Sequence, residues 1–129
     1  MRFLLDTHVW LWWSMGSARI DAKTRALFDE RANVLMLSAA SAWEIAIKHR
    51  IGRLALPDIP ERFIPAQLAL QSIAPLDITV EHASTTAQLP LHHTDPFDRL
   101  LIAQARCENL TLVTADSALE PYAVARLRI

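Results

Sequence analysis

The hydrophobic positions of this chain change period repeatedly, and each change marks an element. Arg2-Phe-Leu-Leu5 is a short apolar run closed by Asp6-Thr7, the pattern of a buried strand that leads into a helix cap. His8 to Trp13 repeats apolar residues at helical spacing, with Trp10 and Trp13 on one side. Asp21 caps an amphipathic helix to about Arg31 that turns Ala22, Ala26, Leu27 and Phe28 toward the core. Val34-Leu-Met-Leu37 reads as a second buried strand. Ser38 or Ser41 caps the helix after it, which runs to about Ile51 and stops at Gly52. Arg53 to Pro57 is a connector with the makings of a small extended segment. A helix is predicted from Pro60 to Ser72, with Pro65 close enough to its start to kink it. Ile73-Ala-Pro-Leu76 fits only an edge strand. Thr79 caps a helix to about Leu89, and Pro90 to Thr94 is a polar loop. A hydrophobic helix to about Glu108 follows, then a strand at Leu110–Thr114. A short helix from Asp116 to Tyr122 and a strand over Val124–Leu127 complete the pattern.

Strands that alternate with helices predict an α/β fold, a parallel sheet covered on both faces, within one domain spanning residues 1–129. Composition sharpens this only slightly. A hydrophobic share of 52% and two glycines argue for a compact, helix-rich chain that needs no disulfide, and the single Cys107 has no partner to bridge. Mean hydropathy of +0.17 points to apolar surface covered by another chain. Charged residues interrupt every run long before membrane-spanning length, and the apolar start reaches Asp6 too soon for a signal peptide. The expectation is a cytoplasmic protein with no membrane contact. A net charge of −1 gives no global attraction to nucleic acid, so any such partner must be held by local basic residues and a metal.

In open parallel sheets the ligand crevice lies beyond the carboxyl ends of the strands. Asp6 follows the first strand and Asp116 the strand ending at Thr114. Glu44 lies early in the helix after the second strand, and Asp98 in the first turn of the helix opened by Asp95-Pro96. All four are predicted to face one crevice. Each also suits a helix end: Asp6, Asp95 and Asp116 as caps, and Glu44 in a Ser41-x-x-Glu44 capping box with Lys48 four residues on. Capping leaves carboxylate lone pairs free, so the two roles coexist. Converging carboxylates call for a hard divalent cation, Mg²⁺ or Mn²⁺, and with it hydrolysis of a phosphodiester. No cysteine pair or HExxH spacing competes for zinc. Lys48, Arg50, Arg53 and Arg99 are candidate phosphate contacts. His8, His92 and His93 are candidates to orient phosphate or protonate a leaving group, and Ser38 and Thr114, at strand ends, to hold an acid in place. The four tryptophans fit core or interface packing better than base stacking.

Four blocks then carry a resemblance: Leu4-Leu-Asp6-Thr-His-Val-Trp-Leu-Trp-Trp13, Ser38-Ala-Ala-Ser-Ala-Trp-Glu44, Asp95-Pro-Phe-Asp-Arg-Leu-Leu-Ile-Ala-Gln-Ala105 and Leu112-Val-Thr-Ala-Asp116. In order and spacing they resemble the motifs of PIN-domain ribonucleases, most of all the VapC-type toxins of bacterial toxin–antitoxin pairs. The resemblance implies a three-layer α/β/α sandwich with a mostly parallel sheet. It implies an Mg²⁺ site of Asp6, Glu44, Asp98 and Asp116, with Asp95 and Thr114 in support. It further implies an RNA substrate, a cognate antitoxin and a homodimer. One departure is that Ala115, just before Asp116, stands where the family often has a basic residue. Two other classes remain as alternatives. One is an acid-pocket phosphohydrolase, although Asp6-Thr-His8 lacks the second aspartate that the haloacid-dehalogenase type needs. The other is a non-catalytic binding module in which the acids are only caps and partner contacts.

Overall fold

A computed structural model describes residues 1–129. Five strands, β1 (Arg2–Leu5), β2 (Val34–Ser38), β3 (Ala74–Leu76), β4 (Thr111–Thr114) and β5 (Arg126–Arg128), form one sheet in the order β3-β2-β1-β4-β5, with every pairing parallel. The helices are α1 (Thr7–Ser14), α2 (Ala22–Asp29), α3 (Ala39–Arg50), α4 (Pro60–Gln71), α5 (Val80–Thr85) and α6 (Pro96–Cys107). No helix is long and apolar enough to cross a membrane.

The period-2 alternation of the central strands sorts the core into two halves. Phe3 and Leu5 of β1, Leu35 and Leu37 of β2 and Val113 of β4 pack with Trp10 of α1, Phe28 of α2, Ile45 of α3 and Phe63 of α4. Leu4 and Leu112 face the other way, onto Leu101, Ile102 and Ala105 of α6 and onto Leu119 and Tyr122. Helices thus cover both faces, as the alternating pattern requires. The strand order places β2 and β3 on one side of β1, and β4 and β5 on the other. The direction of winding reverses between β1 and β4, and a crevice opens at their carboxyl ends.

Three elements differ from the sequence expectation, and at α3 one of two expected caps forms. The helix capped by Thr79 ends at Thr85, and a 3₁₀ turn over Thr86–Gln88 replaces its last turn. The segment after Asp116 is only a 3₁₀ turn, Ser117–Leu119, although Glu120 keeps a helical backbone. The last strand begins at Arg126 rather than Val124, since its register against β4 pairs Val113 with Leu127. Ser38, not Ser41, caps α3, its hydroxyl accepting from the Ala40 amide, so the proposed Ser41–Glu44 capping box does not form. The Ser41 hydroxyl instead accepts a buried hydrogen bond from Thr7 Oγ1 at 2.8 Å. The connector 53–57 pairs with no strand, and α4 runs on through Pro65.

Candidate active site

Each acid is delivered by the end of an element. Asp6 follows β1, is almost wholly buried, and caps α1 by accepting from the His8 amide through Oδ1. Its other oxygen accepts from Thr114 Oγ1 at 2.7 Å. The Thr114 hydroxyl in turn accepts from the Asp116 amide at 3.0 Å, so one buried side chain at the end of β4 fixes the acids that follow both central strands. Asp116 caps the 3₁₀ turn through Oδ1, accepting from the Ala118 amide, and is partly exposed. Asp98 lies in the first turn of α6, which Asp95 caps by accepting from the amides of Phe97 and Asp98. Glu44 is buried in the second turn of α3, where Lys48 donates to Oε2 at 2.7 Å.

The electrostatics show that these groups share one space. Burial is the largest influence on Asp98 and raises its pKa from 3.8 to about 6. A hydrogen bond with His93 opposes the rise, and the negative charges of Asp6, Asp95 and Glu44 add to it. Burial likewise raises Asp6, opposed by the Thr114 hydroxyl and by His8, with the Glu44 charge adding to the rise. Ligand atoms of His93, Asp98 and Asp116 lie within 4.8 Å of one another. Asp6 and Asp116 line one cleft of about 260 Å³ with His8, Trp12 and Arg19.

Several residues singled out from the sequence lie elsewhere. Ser38 is buried with its hydroxyl donating to Gln104 Oε1, and touches no acid. Arg99 is not free for phosphate. Its guanidinium donates to the carbonyls of Thr86, Leu89, Pro90 and His93 and to Tyr122 Oη, tying the loop before α6 to the helix. That loop brings in His93, which ranked below the acids in the sequence reading. Its Nε2 lies 2.8 Å from Asp98 Oδ2, while its amide donates to Tyr122 Oη. The signal was its place five residues before Asp98, in a loop that must turn back at the Asp95-Pro96 cap. His92 packs against Tyr122, and Arg50 and Arg53 lie outside the acid cluster. Among the tryptophans, Trp10 is core, Trp12 and Trp13 are half-buried, and Trp43 is exposed against Phe97.

Acids that end the two central parallel strands, joined by an acid on each of two flanking helices, make the arrangement distinctive. The PIN domain model matches residues 3–125, nearly the whole chain. The chain belongs to the PIN-domain family. It is 36% identical over 121 residues to ribonuclease VapC22 of Mycobacterium tuberculosis, across 92% of this chain and 90% of that protein. Ribonuclease VapC16 of the same organism is 41% identical over 63 residues, a match spanning 49% of this chain and 43% of that protein. The PIN fold seen here also superposes, with a TM-score of 0.76 and 14% identity, on a chain from the crystal structure of Rickettsia felis VapBC2 bound to a promoter DNA fragment. That match covers 100% of this chain and 99% of the other.

Proposed function

We propose that this PIN-domain chain is a Mg²⁺-dependent endoribonuclease, the toxin of a toxin–antitoxin pair. The observation that carries the reading is the meeting of Asp6, Glu44, Asp98 and Asp116 where the sheet reverses its winding. The 36% identity to a protein named as a ribonuclease supports RNA as the substrate.

The donor set fits a hard cation. It is built of carboxylate oxygens, and two of its acids are held above their ordinary pKa by burial and mutual repulsion that a divalent ion would relieve. Asp6, Asp98 and Asp116 would hold Mg²⁺ or Mn²⁺, with Glu44 alongside. When bound, such an ion supplies the Lewis acidity and charge neutralisation that phosphodiester hydrolysis requires. The chain's own side chains keep that site in register. Thr114 aligns Asp6 with Asp116 through one hydroxyl, His93 fixes the rotamer of Asp98, and Lys48 offsets the charge of Glu44. Their rigidity keeps the carboxylates from turning away to solvent before substrate arrives.

The partner that completes this reading is an antitoxin protein, and the toxin itself forms a homodimer. Trp43, Ile47, Ile51 and Ile59 are exposed, and α3 and α4 border a groove of about 590 Å³ lined by Trp43, Ile59, Ile64 and Pro65. One solved neighbour of the fold is a VapBC complex, which supports a partner of this kind. The deciding experiment is cleavage of total cellular RNA by the purified chain, with Mg²⁺ or Mn²⁺ and with EDTA, against an Asp6→Asn/Asp98→Asn variant prepared identically. Discrete fragments that need both the metal and the acids are expected. Fragments unaffected by either would sink the assignment.

A further inference from the structure

Beside the acids stands an arginine for which the fold has no use. Arg19 is exposed, and its guanidinium makes no hydrogen bond or ion pair within the chain. It is nevertheless held in place, lying 4.4 Å from the centroid of the half-buried Trp12 ring. Both residues line the cleft that contains Asp6 and Asp116. His8 closes this cleft on one side, and the same histidine lines a second cleft of about 260 Å³ that leads past Lys48 to Arg53. Lys48 is engaged by Glu44, whereas the Arg53 side chain is exposed and, like Arg19, unpaired. Arg19 thus lines the cleft of Asp6 and Asp116, and Arg53 lines the adjoining cleft that shares His8 with it.

Resting on the ribonuclease reading above, we infer that the two clefts are one path for a single RNA strand. Arg19 and Arg53 hold phosphates on either side of the one that is cut. A net charge of −1 and a buried cluster of carboxylates repel a polyanion, so attraction has to come from cations beside the acids. Guanidinium is suited to this, because its planar fork matches phosphate oxygens and it stays charged at any physiological pH. Stacking on Trp12 fixes the Arg19 plane before substrate arrives, so less side-chain freedom is lost on binding. Trp12 is in this account a positioning residue, since its ring face is already occupied by Arg19.

The test is binding of a fluorescently labelled, random-sequence short RNA to the full chain in an Asp98→Asn background, followed by anisotropy between about 50 and 200 mM salt. Arg19→Gln and Arg53→Gln are each expected to weaken binding about tenfold at low salt, the loss of one charge-assisted contact. Each should also flatten the slope of log affinity against log salt by about 0.7, and the double variant by about 1.4. Arg19→Lys should keep the slope but lose part of the affinity, and Trp12→Phe should do the same without removing any charge. A purely structural role would leave the slope alone. Unchanged affinity and slope in both glutamine variants, while the unaltered chain cleaves RNA with Mg²⁺, would overturn the path and leave the nuclease reading standing. A chain that neither binds nor cleaves RNA would remove both together.

Discussion

The metal-ligand role proposed for Asp98 comes with a cost to the fold. Its pKa of about 6 lies above the value of 3.8 that the unfolded chain would show, so between the two the folded state holds the extra proton. The stability this contributes is fully present below about pH 4 and is lost as the pH rises through about 6. At neutrality the ionised group costs the metal-free protein on the order of 2 kcal/mol. Asp98→Asn should therefore be inactive yet more stable than the parent at neutral pH in EDTA, by about 1–2 kcal/mol, with little difference below pH 4. Urea unfolding at acidic and neutral pH checks the sign. Thr114→Val removes the bond that holds Asp6 down and leaves the Asp116 amide without its acceptor. A loss of about 1–3 kcal/mol is expected, and the acid limb of the pH–rate profile should move to higher pH. The four acids were legible in the sequence because each stands at a strand end or in an early helical turn, where side-chain direction is nearly fixed. His93 was less so, because its bond to Asp98 depends on how a loop folds back, and nothing in the local pattern records that.

At the scale of elements, boundaries set by local chemistry agree with the pattern, and those set by distant contacts do not. The caps at Asp6, Asp21, Thr79 and Asp95 all form, since each depends on a side chain meeting an amide two or three residues on. The serine-to-glutamate spacing at Ser41 satisfies the same rule on paper, but the Thr7 hydroxyl from α1 takes up Ser41 and the helix starts earlier. The end of α5 was equally hidden, because Arg99 draws the carbonyls of Thr86 and Leu89 toward α6. Arg99 in effect ties α5, the histidine loop and α6 together. Arg99→Met should free that loop, losing about 2–4 kcal/mol as several charge-assisted bonds to partly buried carbonyls disappear. The mark of this role is faster amide exchange confined to residues 86–94, with reduced cleavage as His93 leaves Asp98.

Across the whole molecule, the acids set metal-free stability against readiness for a cation. Saturating Mg²⁺, at about a hundred times its dissociation constant, should stabilise the parent chain by roughly 2.7 kcal/mol and leave Asp6→Asn/Asp98→Asn unmoved. A thermal shift of several degrees in one and none in the other is the expected reading. The architecture was legible because strands buried on both faces leave unbroken apolar runs, as at Phe3-Leu-Leu5 and Leu112-Val113, whereas the edge strand β5, with its exposed arginines, carries almost no such signal. The parallel sheet also has a consequence in time. Thr114 and the Asp6 it anchors are 108 residues apart, and β1 is flanked on one side by a strand made long after it. At about 5–20 residues per second, a ribosome needs roughly 5–20 s between these two points. Throughout that interval the first acid exists without the last, and β1 lacks the neighbour that completes the crevice. A nascent copy therefore cannot assemble the acid cluster until β4 emerges and docks against β1.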